Sequence, residues 1–519
     1  MRKSRDWIEG AGLAVLLLLP YCYKFLLFDN IVLYHLHLPI VHRMNGLLLD
    51  FIVYALLGGA LLSTIRRLPE FASRLMEAAY AATVVWLAVD LALLVLAQRL
   101  TAYRTAEVTA VWNDSALALV LLSIALSWRW TAQTQVAVRV VRLAVAGLAF
   151  SGLWIVPQLV RIARAHPSLE TAALLTPQAT KPHPRRIVWI LFDELSYKQV
   201  FEHPYPGIAV PNFDRVAAES VTFRNLRPEG FFTDKILPSL FLGDHIDEIR
   251  SDIDGQLLFM DEHQRRWRFY GAETTVFGLA RKQGWNTGIS GWYNPYCRLL
   301  GKLTADCFWE ANQTLSESYG TSEDSSPLRN ATLFPNRLLE PFRRHTTPLE
   351  DHVRICASIL SQADRLIADD RLQFIFVHIP VPHAPATYDR RTHRARLGGT
   401  YLDSVVEADD MLGVIQSSIA SSTQRAETTL IISSDHSWRT HIGNDGRRGQ
   451  SESQEEFSAS GGRFDDRPVL LIHFSGQRAR DEVSGPVAEM MEHDLLTEML
   501  EDRMERVEDF DKFYAGRTH

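Results

Sequence analysis

The sequence predicts an α/β protein in two parts: an N-terminal region of five membrane-spanning helices, then an α/β sandwich around a mostly parallel central sheet. Three observations predict this fold. The first 164 residues carry five apolar stretches of spanning length. The remainder alternates short continuous apolar runs with helical patterns. Three of those runs end in acids or histidines, as expected where parallel strands deliver ligands at their carboxyl ends.

The five apolar stretches are residues 8–28, 46–65, 78–97, 109–128 and 140–160. A secretory signal would be single and shorter. Basic residues gather before the first stretch (Arg2, Lys3, Arg5), after the second (Arg66, Arg67, Arg74) and after the fourth (Arg129, Arg139, Arg142). The other two loops hold fewer: Arg43 in one, Arg99 and Arg104 in the other. The positive-inside rule then sets the N-terminus in the cytoplasm and everything beyond the fifth crossing outside it. The expected organisation is a transmembrane domain over 1–164, a linker rich in Pro, Thr and basic residues over 165–186, and a catalytic domain over 187–519.

Composition narrows the function classes. The chain has 519 residues, 47% of them hydrophobic, and suits two or three domains. A net charge of -7 offers no basic footprint for nucleic acid. The 4 cysteines are Cys22, Cys297, Cys307 and Cys356, and none forms a Cys-x-x-Cys pair, which argues against a zinc ribbon. Cys297 and Cys307 flank a short polar loop. That spacing permits a local disulfide in an oxidising compartment, and equally two unrelated thiols.

In the second part, Ile187-Val-Trp-Ile-Leu-Phe192 reads as a buried strand ending at Asp193-Glu194. Residues 372–377 form a second run, ending at His378, and 429–434 a third, ending at Asp435-His436. A fourth covers 468–473. Helical patterns fall at 212–220, 352–369 and 403–418. Phe231-Phe-Thr-Asp-Lys-Ile-Leu-Pro-Ser-Leu-Phe-Leu-Gly243 reads as a loop entering a helix, with Thr233 near its start. Thr233 alone would be an ordinary N-cap. Beside Asp193 and Asp435-His436 it reads better as a nucleophile, activated by a metal ion and by the amides of the helix N-terminus.

These blocks resemble the alkaline phosphatase superfamily in its sulfatase-like branch, which includes membrane-anchored phosphoethanolamine and phosphoglycerol transferases. Ile187 to Glu194 is similar to the opening strand with its acidic ligands. Pro211-Asn-Phe-Asp-Arg-Val-Ala-Ala-Glu-Ser-Val-Thr-Phe223 resembles the segment that follows it. Val377-His-Ile-Pro-Val-Pro-His-Ala-Pro385 resembles the His-x-Pro-His-x-Pro substrate loop, and Ser434-Asp-His436 the Ser-Asp-His-Gly metal motif. Here Ser437 replaces the Gly, and Trp438-Arg439 follows where an acid is common.

The resemblance implies an alkaline-phosphatase-like sandwich in a multi-pass protein of the inner (cell) membrane, with its catalytic domain periplasmic. It implies one divalent cation held by Asp193, Asp435, His436 and the Thr233 oxygen, with Glu194 behind them or as a fifth ligand. Zinc suits this donor set first, with manganese and magnesium as alternatives. Threonine at the nucleophile position, where sulfatases carry a modifiable Cys or Ser, implies phosphoryl chemistry. A phospholipid headgroup would pass through phosphothreonine to a glycan or lipid acceptor. His383 would serve the phosphoryl oxygens or the leaving group, with His378, His441 and Arg439 as further substrate contacts. The alternatives are a sulfatase-like phosphodiesterase or hydrolase on the outer side of the membrane, and a catalytically degenerate regulatory membrane protein.

Overall fold

The structure is a computed structural model that describes residues 2–27, 40–97, 118–129, 131–164, 183–202, 204–252, 256–261, 266–311, 347–396, 398–438 and 465–517. Most of the linker expected over 165–186 lies outside the described residues, as do 109–117 of the fourth apolar stretch, Arg439 and His441.

The N-terminal part is helical: α1 (Arg2–Leu27), α2 (Ile40–Ile65), α3 (Glu70–Ala97), α4 (Ala118–Arg129), α5 (Thr131–Leu148) and α6 (Gly152–Ala163). A 3-10 turn, Ala149–Ser151, joins α5 to α6. Among the described residues, two helical spans are long and apolar enough to cross a membrane, Leu48–Ile65 and Ala132–Arg161. The sequence predicts five crossings; the described residues show two spans that meet the requirement. Close backbone approach joins α1 to α2: a Cβ on Gly10 would stand 2.5 Å from the amide nitrogen of Gly59, so only glycine fits there. Arg142 of α5 ties three helices together, reaching Glu9 of α1 at 2.8 Å and Glu77 of α3 at 2.8 Å. Arg66, just past α2, pairs with Asp6 at 2.7 Å. Buried charges need such partners, because each unpaired one would carry its full desolvation cost.

The second part is built on β1 (Arg186–Asp193), β2 (Val221–Phe223), β3 (Thr287–Tyr293), β4 (Asp306–Ala311), β5 (Phe374–Pro382), β6 (Thr428–Ser434), β7 (Leu470–His473) and β8 (Asp481–Val483). They form one 8-stranded sheet in the order β8-β2-β7-β6-β1-β5-β3-β4. Only β7 runs antiparallel to its neighbours. β1 lies at the centre, and every one of its residues is buried. Its side chains alternate between two cores, as strand geometry requires. Val188, Ile190 and Phe192 face one layer; Ile187, Trp189 and Leu191 face the other. The first layer contains α7 (Pro211–Ala217), α10 (Thr347–Ala368) and α11 (Tyr401–Ser421). The second contains α8 (Thr233–Leu242), α9 (Val276–Lys282) and α12 (Met491–Leu500). The sandwich with a mostly parallel sheet is thus as expected. Cys297 and Cys307 are joined by a disulfide that straps the turn after β3 to β4.

Candidate active site

Because β1, β5 and β6 are parallel neighbours, their carboxyl ends open on one edge of the sheet. Asp193 ends β1, and Asp435 and His436 follow β6 directly. Ligand atoms of these three residues lie within 4.8 Å of one another, and all three residues are buried. His436 Nε2 stands 3.3 Å from Asp435 Oδ2 and 3.8 Å from Asp193 Oδ1. Local hydrogen bonds fix the group. His436 Nδ1–H donates to the Ser437 carbonyl at 2.9 Å, which turns the Nε2 lone pair toward the carboxylates. Asp435 Oδ1 accepts the amides of His436 (2.9 Å) and Glu194 (3.2 Å).

Glu194 interrupts the strand pattern. Its backbone takes φ 68, a left-handed conformation rare outside glycine. Its carbonyl accepts the Tyr401 hydroxyl at 2.7 Å. This turn separates Glu194 from Asp193, and the cluster of close ligand atoms contains Asp193 without Glu194.

Thr233 is the first residue of α8. Phe232 occupies the N-cap position, and no side chain caps the helix. The Thr233 hydroxyl instead donates to Asp435 Oδ2 at 2.7 Å. An ordinary N-cap threonine would accept from its own helix; this one is turned out of the helix toward the acid cluster. Gly243 closes the helix at φ 76, a conformation that favours glycine.

The histidines of the β5 edge stand around this group. His378 Nε2 lies 3.6 Å from Asp193 Oδ2, and its Nδ1 is hydrogen-bonded to the Tyr296 hydroxyl at 2.7 Å. Complete burial pushes the His378 pKa down from 6.5 to about 4, so the ring is neutral at physiological pH. The His383 amide donates to the Asp193 carbonyl at 3.0 Å. Its Nδ1–H donates to the Ala384 carbonyl at 2.5 Å, which leaves Nε2 outside that bond. Trp292 packs edge-on to His383, with ring centroids 5.4 Å apart.

Sequence reading missed the segment after β3. Asn294 is buried, and its Nδ2 reaches the Thr233 carbonyl at 3.5 Å, while its Oδ1 has no hydrogen-bond partner among the described residues. β3 escaped notice because Gly288 and Gly291 break its apolar run. A Cβ at Gly291 would strike the Tyr296 ring at 2.5 Å, so glycine is needed to admit the partner of His378.

The residues present fit a divalent cation. Two carboxylates, an imidazole and a hydroxyl converge, and His436 Nε2 is buried without a hydrogen bond among the described residues. Such an orphaned nitrogen is costly unless a ligand completes it.

A family model described as Sulfatase matches residues 185–501. No curated protein matches the chain by sequence. Among solved structures, the chain is similar to the phosphonate monoester hydrolase of Agrobacterium radiobacter, with 15% identity and a TM-score of 0.38 over 61% of this chain and 74% of that one. It is similar to the PsFucS1 sulfatase from Pseudoalteromonas sp., with 14% identity and a TM-score of 0.39 over 61% and 67%. A protein in the alkaline phosphatase superfamily from Vibrio parahaemolyticus shares 14% identity, with a TM-score of 0.35 over 64% and 71%.

Proposed function

The chain belongs to the sulfatase family, within the alkaline phosphatase superfamily, and from that membership we propose that it is a membrane-anchored, metal-dependent phosphotransferase. It moves a phospholipid headgroup, of phosphoethanolamine or phosphoglycerol type, through a phosphothreonine to a glycan or lipid acceptor. The observation that carries this reading is the Thr233 hydroxyl resting on Asp435 Oδ2 at the mouth of α8. An alcohol, with no cysteine in its place, is the group this site presents.

Each residue has a definite task. Asp435 Oδ2 orients the Thr233 hydroxyl and takes its hydrogen. The Thr233 oxygen attacks phosphorus; the new O–P bond forms as the bond to the diacylglycerol oxygen breaks. His383, entering the step as the imidazolium, gives its Nε2 proton to that departing oxygen and, then neutral, takes one back from the acceptor hydroxyl. The acceptor oxygen then displaces Thr233, which regains its hydrogen. The leading amides of α8 favour the phosphate's negative charge. Asp193, Asp435, His436 and the Thr233 oxygen would hold a divalent cation, zinc before manganese or magnesium, which would supply charge neutralisation and lower the pKa of the attacking alcohol.

The membrane part supports a lipid donor. The basic loops favour five crossings with the N-terminus inside. The ends then expected on the inner side meet in one ionic cluster, Glu9, Arg66, Glu77 and Arg142. The Cys297–Cys307 disulfide suits a periplasmic catalytic domain. An anchor next to lipid raises the effective donor concentration.

Intact mass of the detergent-purified protein, incubated with mixed phospholipids, tests the proposal. A gain matching one phosphoethanolamine or phosphoglycerol group is expected, absent in Thr233→Ala. Undiminished headgroup turnover by Thr233→Ala would overturn it. Water accepting the group from an intact phosphothreonine would make the protein a hydrolase instead.

A further inference from the structure

The nucleophile helix is held at both ends by one short stretch of chain near the C-terminus. At its entry, Val487 pairs with Leu226 as a parallel bridge, and the Val487 amide donates to the Asn225 carbonyl at 3.0 Å. The Glu489 amide donates to the Arg227 carbonyl at 2.8 Å. The Glu229 amide, four residues before Thr233, donates back to Glu489 Oε2 at 2.6 Å. At its exit, His493 Nδ1–H donates to the Leu240 carbonyl at 2.9 Å, and the His493 ring fills the space where a Cβ on Gly243 would sit. The Glu229 side chain in turn bonds His245, just beyond that exit. Loop, helix and C-terminal segment thus form one closed unit.

We propose that residues 487–493 are a clamp that sets the height of Thr233 above the Asp193–Asp435–His436 cluster, with Glu489 as its positioning residue. This rests on Thr233 being the nucleophile. Glu489 is 0% exposed, and its Oε1 has no hydrogen-bond partner among the described residues. Burial, with Glu492, Asp435 and Glu229 nearby, holds its carboxyl well above the usual range, although the Glu229 amide favours the ionised form. Glu489 receives the loop amide on Oε2 from a fully buried position. Glutamine keeps an acceptor oxygen at the same reach and is its close mimic. A displacement of the nucleophile of about 1 Å costs on the order of 100-fold in rate, so a loop held by one buried acceptor matters to turnover.

The test compares the full chain in detergent with its Glu489→Gln and Glu489→Ala variants. One readout is turnover of bis(p-nitrophenyl) phosphate at saturating zinc; the other is hydrogen exchange in the peptide spanning 226–236. Glu489→Ala is expected to lower kcat roughly 10- to 100-fold at nearly unchanged KM and to speed exchange at the Glu229 amide. Glu489→Gln is expected to keep both near wild type. A Gln variant as damaged as the Ala variant would overturn the clamp, as would an Ala variant with unaltered exchange. Wild type that turns over no phosphodiester would count against the proposed function alone, since exchange still decides the clamp.

Discussion

The hydroxyl of Thr233 and the carboxylate of Asp435 meet at 2.7 Å across 202 residues of sequence. The contact joins the start of α8 to the end of β6 and spends the threonine's hydrogen on the acid cluster. It fixes what this site requires of its alcohol.

Replacing Thr233 with serine keeps the alcohol but frees its rotamer, since the β-methyl restricts χ1. Thr233→Ser is expected to retain activity reduced roughly 10-fold, while Thr233→Ala loses at least about 1,000-fold. Steady-state turnover of a phosphodiester checks both. Equal losses in the two variants would show that the hydroxyl is not the attacking group.

Metal content should follow the cluster. Asp193→Asn, Asp435→Asn and His436→Ala are each expected to lower bound zinc, read by elemental analysis of purified protein. Chelation should also lower the thermal midpoint, because an ion that binds only the folded state stabilises it. A chelated protein with unchanged melting would argue against a resident ion.

Acid sensitivity has a named contributor. His352 in α10 packs beside Trp292, with ring centroids 6.2 Å apart. Burial, and then the nearby His383, pushes its pKa down from 6.5 to about 3. Between those values the unfolded chain binds a proton that the folded one does not. The contribution to stability is therefore complete above pH 6.5 and is lost as pH falls toward 3. By pH 4 the loss is at most roughly 3 kcal/mol. His352→Gln should show a smaller drop in melting temperature between pH 7 and pH 4.5 than wild type does; an identical drop would rule His352 out.

The Cys297–Cys307 bridge closes a loop of sequence separation 10. Loop-closure entropy for that length gives a contribution of about 2–3 kcal/mol. Cys297→Ser/Cys307→Ser should melt several degrees lower, and peptide mapping without reductant should recover the linked pair from wild type. Free thiols at both positions would place the domain in a reducing compartment.

Breaking the ionic cluster of the membrane part should be costly. Arg142→Ala leaves Glu9 buried without its main partner, an expected loss of about 3–5 kcal/mol. Arg142→Ala/Glu9→Ala should recover part of it. The yield of folded protein by size-exclusion chromatography in detergent reads both.

Much of the site could be read from sequence because parallel sheets advertise their ligands. Fully buried strands read as unbroken apolar runs, so β1, β5 and β6 stood out with the polar residues at their ends. The alternation of runs and helical patterns gave the layers, and the stretches at 46–65 and 140–160 overlap the two helical spans long and apolar enough to cross a membrane. The strand at 470–473 was legible too, although its antiparallel direction was not, since a run carries no arrow.

Tertiary structure alone decided the rest. The sequence left Glu194 either behind the ligand set or as a fifth ligand; the left-handed turn at Glu194 puts only Asp193 among the close ligand atoms. Thr233 had two readings, and the helix start at Thr233 with Phe232 before it removes the N-cap one. Asn294 and Glu489 had no local signal, because their partners lie 61 and 260 residues away. Periodicity records which faces are buried, whereas the identity of a buried polar atom's partner depends on chain segments that meet only when the sheet assembles.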